Sequence, residues 1–305
     1  MEIILARPRG FCAGVHRAIN IVNKALAIYK PPVYVLHEIV HNTHVIKELE
    51  EKGAVFVEEL EDIPSGSRAI FSAHGVSQAV KEQAKRLGLQ TINATCPLVS
   101  KVHRRVSLLN TIHYDVLVIG HKGHPEVVGT CGHASGSVHV ISSPEEIQDL
   151  QINDPSRVGY VTQTTLSLDD TAHLLTALRK QFPDINEPSR TDICFATSNR
   201  QIAVRNLSES VDLILVVGSK NSSNSNRLRE VAEKKNIPAY LIDHAGEINQ
   251  KWLDNSKRVG ITAGASAPEY LVTELVTWLR NNYKVATVQE MDGVDENICF
   301  QLPNI

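Results

Sequence analysis

The chain has 305 residues, of which 42% are apolar, 5% aromatic and 21% charged, and its formal net charge is −3. These proportions support a folded, mainly aliphatic interior and exclude a disordered chain. The charge excludes the general positive field that nucleic acid requires, though not a local anion site.

No stretch approaches the roughly 20 apolar residues of a membrane helix, and Arg7 and Arg9 stand where a signal peptide would be apolar. The expectation is a cytoplasmic protein of two or three domains with no nucleic-acid or membrane partner.

In chain order, the first recurring element starts at Cys12, which opens CAGVHRAINIVNKAL. Apolar residues return there at steps of three and four, a helical period. Strands are predicted at Val33–Leu36 and Ala69–Phe71. Cys96 opens a second helical pattern, CPLVSKVHRRVSLL, with Thr95 as a helix-start residue and Pro97 in the first turn. Strands follow at Val116–Ile119 and Val158–Val161. Cys194 opens a third, CFATSNRQIAVRNL, with Asp192 as a helix-start residue and strands at Leu213–Val217 and Val259–Ile261. The first strand begins 21, 20 and 19 residues after the respective cysteine, and the second 57, 62 and 65 residues after it.

This spacing predicts an α/β fold of three similar units with short parallel sheets, each reading helix, strand, helix, strand, helix. The expected boundaries are 1–95 (with an N-terminal strand and the first cysteine), 96–193 and 194–281. A tail, 282–305, is expected to pack back on the body through Ile298, Phe300 and Leu302.

Parallel sheets place ligands at the carboxyl ends of their strands. The six predicted strand exits are HEIVHN from His37, SAHG from Ser72, HKGHPE from His121, TQTT from Thr162, SKNSSNSN from Ser219 and TAGASAP from Thr262. His41, His74 and His124 lie on the first three and suit an anion pocket, since imidazolium donates from both nitrogens. Ser222, Ser223, Asn224 and Ser266 offer hydroxyl, amide and helix-start donors for phosphate. Glu126, two residues after His124, would have its pKa raised by burial and become a proton donor. Thr164 could relay a proton or orient a substrate hydroxyl.

The five cysteines, at 12, 96, 131, 194 and 299, form no disulfide framework. Cys131 and Cys299 lie outside the repeat and read as buried filler. If the three units stand about a pseudo-threefold axis, Cys12, Cys96 and Cys194 meet at its centre. Such a trio suits an iron–sulfur cluster with one iron left open, a three-cysteine zinc site, or three independent core thiols.

The motifs RGFCAGVHRAI, HNTHVIKELEEKG, FSAHGVS, ATCPLVSKVH, GHKGHPEVVGT, TQTTLS, CFATSNRQ, GSKNSSNSNRL and TAGASAPEYLV are together highly specific. Through them the sequence resembles the 4-hydroxy-3-methylbut-2-enyl diphosphate reductase family, also called the LytB family, over nearly the whole chain. Asn93 and Ser100 stand where the family more often has Asp and Thr.

The resemblance implies three α/β units around a 4Fe-4S cluster held by Cys12, Cys96 and Cys194. It implies a diphosphate bound by His41, His74, His124, Ser222, Ser223, Asn224 and Ser266, with Glu126 as proton donor and Thr164 near the substrate hydroxyl. The implied reaction removes that hydroxyl as water with two electrons and two protons, giving isopentenyl and dimethylallyl diphosphates.

No strand is followed by GxGxxG, so electrons are expected from a separate carrier, ferredoxin or flavodoxin by the resemblance, acting on a monomer. Two other readings are a non-catalytic phosphate-ester binding module and a three-cysteine zinc hydrolase.

Overall fold

The computed structural model describes residues 1–305. In chain order its elements are β1 (Glu2–Leu5), α1 (Ala13–Tyr29), β2 (Val33–Leu36), α2 (Thr43–Glu51), β3 (Ala54–Val57), β4 (Arg68–Phe71), α3 (Gln78–Arg86), β5 (Gln90–Asn93) and α4 (Pro97–Thr111). There follow β6 (Asp115–Ile119), α5 (Pro125–Cys131), β7 (Val138–Ile141), β8 (Val158–Thr162), α6 (Leu168–Gln181), α7 (Phe195–Ser208), β9 (Leu213–Val217) and α8 (Ser223–Lys234). The chain closes with β10 (Ala239–Ile242), β11 (Arg258–Ala263), α9 (Glu269–Asn282) and β12 (Thr287–Glu290).

Three parallel sheets result, in the orders β3-β2-β4-β5, β7-β6-β8 and β10-β9-β11-β1-β12. The six strands predicted from the sequence form one adjacent pair in each sheet. The N-terminal strand β1, grouped in sequence with residues up to 95, instead pairs with β11 and β12.

Two compact units emerge. The first comprises Met1–Val15, His41–Val45 and Phe195–Cys299, and holds the five-stranded sheet. Alternate residues of β9 serve its two faces. Leu213, Leu215 and Val217 pack with Leu271, Leu275 and Leu279 of α9. Ile214 and Val216 pack with Val204 and Leu207 of α7 and Leu228 and Val231 of α8. A strand covered on both faces must be apolar throughout, which is why LILVV reads as an unbroken run. The tail joins this unit through β12, its register on β1 running from Glu2↔Thr287 to Leu5↔Glu290. Ile298 and Leu302, expected to anchor the tail, are 45% and 38% exposed.

The second unit comprises His16–Val40, Ile46–Cys194 and Phe300–Ile305, with the other two sheets. Around β6, Leu117 and Ile119 pack with Leu174 and Leu178 of α6, while Val116 and Val118 pack with Val102, Val106 and Leu109 of α4. Leu36, Ala69 and Phe71 form a separate core with Ala84 and Leu89. Each buried aliphatic side chain contributes roughly 1.5–3 kcal/mol.

Helices start where strands exit, with side-chain caps at several starts. Ser77, Ser167 and Ser222 accept from the third backbone N–H onward, at 3.2, 3.2 and 3.3 Å. These caps fix the polar ends of the strands, where the candidate site residues lie.

Candidate functional site

In the second unit, Glu126 lies in the first turn of α5 and is 3% exposed. The end of β8 supplies its partner. Thr164 donates its backbone N–H to Glu126 Oε1 at 2.6 Å and its hydroxyl to Oε2 at 2.9 Å. Burial pushes the Glu126 carboxyl up to about 7, against the two Thr164 donors, which favour the charged form, with Asp192 adding a smaller upward push. This carboxyl therefore gains or loses a proton near neutrality.

His124 caps the same helix. Its Nδ1 accepts the Glu126 N–H at 3.1 Å, so the neutral ring carries its proton on Nε2. The His74 ring meets it edge-on, with centroids 5.9 Å apart. Thus His74, His124, Glu126 and Thr164 are gathered within one unit.

Two cysteines belong there too. The Cys96 N–H donates to the Ala73 carbonyl at 3.0 Å, and the Cys194 N–H to the Thr164 carbonyl at 3.1 Å. Each is carried on the backbone of a strand exit, beside His74 in one case and at the partner of Glu126 in the other.

In the first unit, Cys12 is delivered in the same manner. The backbone of residues 6–12 is carried along β11 and its exit by Ala6 N–H to Ile261 O (2.8 Å), Gly10 N–H to Ala263 O (3.1 Å) and Cys12 N–H to Ala265 O (3.0 Å). Gly10 has φ +68°, and a Cβ there would meet the Ala267 carbonyl at 3.3 Å, so the turn into RGFC needs glycine.

The anion-type residues of this unit also cluster. Ser266 donates to the His41 carbonyl at 2.9 Å and lies 3.5 Å from the Ser222 hydroxyl. Asn224 Oδ1 accepts from the Ala265 N–H at 2.8 Å, leaving its Nδ2 buried with no partner. Ser223 opens α8 directly after the Ser222 cap. The Nδ2 of Asn42, a residue 0% exposed, and the Thr262 hydroxyl are buried and equally unpartnered. Buried polar atoms left unpaired carry a desolvation penalty that a bound acceptor removes.

Sequence reasoning missed the residues that hold these groups in place. Asp243 accepts from the Ser219 hydroxyl at 2.6 Å and the Thr43 hydroxyl at 2.9 Å, fastening the segment that carries His41. Gln163 accepts the His121 N–H at 3.0 Å and donates to Thr165 at 3.0 Å, bracing the HKGHPE loop. Arg200 is 1% exposed. It donates to the carbonyls of Gly10 (3.1 and 2.8 Å), Phe11 (3.5 Å) and Ala196 (2.9 Å), and to both Glu296 oxygens at 3.0 Å.

None of the five cysteines is in a disulfide. Cys12, Cys96 and Cys194 are half-buried and each immediately precedes a helix, α1, α4 and α7 respectively. Cysteine sulfur is a soft ligand suited to iron–sulfur clusters. By its chemistry each of the three is a donor that such a group takes. No three His, Cys, Asp or Glu side chains lie together as ligands for a single metal ion. Cys131 and Cys299 do not precede helices; Cys131 is half-buried, which pushes its thiol up, whereas Cys299 is exposed and is not the buried filler expected of it.

Parallel α/β sheets with polar strand exits and helix-start thiols define a class of ligand-binding α/β protein. The family model described as LytB protein matches residues 3–280, and the chain belongs to that family. A 4-hydroxy-3-methylbut-2-enyl diphosphate reductase of Azoarcus sp. (strain BH72) is 53% identical over 302 residues, covering 99% of this chain and 96% of the relative. A protein named 4-hydroxy-3-methylbut-2-enyl diphosphate reductase 2 of Burkholderia mallei is 52% identical, covering 99% and 92%.

Among solved structures, the E-1-hydroxy-2-methyl-but-2-enyl-4-diphosphate reductase of Plasmodium falciparum superposes with a TM-score of 0.96 at 41% identity, covering 99% of this chain and 95% of that one. A second, described as (E)-4-hydroxy-3-methyl-but-2-enyl diphosphate reductase, the terminal enzyme of the non-mevalonate pathway, gives 0.66 at 32% identity, covering 92% and 100%.

Proposed function

We propose that the protein reduces (E)-4-hydroxy-3-methylbut-2-enyl diphosphate to isopentenyl and dimethylallyl diphosphates, removing the hydroxyl as water. The observation that carries this reading is the buried Glu126–Thr164 pair, in a chain about half identical to reductases of that name. In this reading Cys12, Cys96 and Cys194 hold a 4Fe-4S cluster with one iron left open. That group, when bound, supplies electrons and a Lewis-acidic iron.

The chain's own residues supply the rest. His41, His74, His124, Ser222, Ser223, Asn224 and Ser266 donate hydrogen bonds to the diphosphate, and the unpaired Asn224 Nδ2 supports an acceptor there. His124, with Nδ1 occupied by the Glu126 N–H, offers Nε2–H. Glu126 holds a proton near neutral pH. When protonated on Oε2, it donates to Thr164 Oγ1, while Oε1 keeps the Thr164 N–H. The Thr164 hydroxyl proton is then free to pass to the departing substrate hydroxyl, and the Glu126 proton replaces it. Water leaves, and a second proton completes the hydrocarbon product at either end of the allylic system.

Electrons come from a separate carrier, ferredoxin or flavodoxin, and the protein works as a cytoplasmic monomer. No helix is long and apolar enough to cross a membrane.

Oxygen-free protein, incubated with substrate and a chemical reductant, tests the reading. Both isoprenyl diphosphates should form. A colourless protein with stoichiometric zinc that hydrolyses the diphosphate instead, or a metal-free one that binds it unchanged, would replace this reading.

A further inference from the structure

The second unit carries another concave surface, a cleft of about 270 Å³ between α3 and α4, which none of the residues proposed to bind substrate or cluster lines. Lys81, Ser100, His103, Arg104 and His133 line it, with no Asp or Glu among its lining residues.

Its hydrogen bonds fix its charge. His133 Nδ1–H donates to the Gly129 carbonyl at 2.8 Å, so Nε2 is the acceptor for the Lys81 ammonium at 3.0 Å. That partner is neutral, and no carboxylate pairs with Lys81 or with the exposed Arg104. His103 is 5% exposed and stacks on His133 with ring centroids 4.0 Å apart. Its Nε2 is buried and has no partner.

A basic cluster without a counter-charge holds its protons less firmly. Burial, followed by His133 and Lys81, pushes His103 down to about 3, and burial pushes Lys81 and His133 down as well. Neutral donors stand at the same place. Asn93 Oδ1 is taken by the Thr95 N–H at 3.0 Å, which leaves the Asn93 amide N–H₂ to donate, and the Ser100 hydroxyl is available beside it.

We propose that this cleft is a second anion site, binding a small phosphate-class oxyanion through Lys81 and Arg104, with Ser100 and Asn93 as neutral donors. Cations lacking a carboxylate, amide and hydroxyl donors, and a buried unpartnered imidazole together specify an acceptor-rich, doubly charged ligand. A bound anion would bridge α3 to α4, the helix that Cys96 opens, and would draw protons onto the cluster. The proposal is independent of the dehydroxylation reading.

Inorganic phosphate, pyrophosphate and acetate, each titrated into the full-length protein at constant ionic strength, test it by the C2-proton NMR signals of His103 and His133. These are assigned with His103→Asn and His133→Asn variants. Both phosphates should give saturable shifts of the two signals. Lys81→Gln/Arg104→Gln, whose unliganded thermal unfolding should match the parent, should bind at least roughly tenfold more weakly. Shifts that never saturate, equal saturation by acetate, or unchanged affinity in the double variant would each overturn the assignment.

Discussion

Glu296 is the tail residue on which a buried cation depends. Arg200 is 1% exposed, and its side chain is engaged by the Gly10, Phe11 and Ala196 carbonyls and the Glu296 carboxylate. Glu296→Ala leaves the guanidinium with carbonyls alone and no counter-charge. Removing one partner of a buried ion pair costs about 3–5 kcal/mol, and the lower end applies because the Glu296 side chain keeps 12% exposure. At roughly 2–4 °C per kcal/mol for a large domain, the melting temperature of metal-free protein should fall by about 6–12 °C.

Arg200→Leu/Glu296→Leu removes the desolvated charge together with its partner, and should lose less than the two single substitutions combined. The same guanidinium fixes the carbonyls just before Cys12, so thiol labelling at Cys12, read against a Cys12→Ser control, should quicken in Glu296→Ala. A melting temperature within 1 °C of the parent and an unchanged labelling rate would refute this reasoning.

Glu126→Gln should retain substrate binding while turnover falls about 10²–10⁴-fold, since a general acid typically contributes that much; near-parental turnover would remove the donor role. The folded carboxyl titrates at about 7 and the unfolded one near 4.5, so the folded state binds the extra proton between those values. Wild-type stability therefore declines through that window, and Glu126→Gln should gain on it by on the order of 3 kcal/mol between pH 4.5 and 7 in denaturant titrations. Asp243→Asn should raise KM by roughly tenfold with kcat little changed, because the segment bearing His41 loses a charge-assisted tether; a fall in kcat at constant KM would contradict that role. Gly75→Ala places a Cβ 2.5 Å from His103 Cε1 at φ +78°, and chemical denaturation should show a loss of about 1–3 kcal/mol.

Strands β6, β8 and β9 were legible because both their faces are covered. Every residue of β6, β8 and β9 is buried, so each reads as an apolar run. The edge strands β5 and β12 are mostly exposed, and QTIN and TVQE have no run to read. The N-terminal strand was visible as apolar, but its partners lie more than 250 residues away, and nothing local specifies them.

At the site, motif residues announced themselves through strand exits, whereas their supports did not. Arg200 did leave a signal, since it falls at helical spacing between Ala196 and Val204, on the buried stripe of α7. An arginine there must be fully partnered. Its partner Glu296 sits in a tail without helix or strand around it, and no periodicity marks it. Asp243 follows a partly exposed edge strand and looks like an ordinary turn acid.

The most direct test of the account is the iron and acid-labile sulfide content of oxygen-free protein in a set of cysteine variants. Cys12→Ser, Cys96→Ser and Cys194→Ser should each lose most of both, while Cys131→Ser/Cys299→Ser should match the parent. Full iron and sulfide in any of the first three, or their loss in the last, would contradict it.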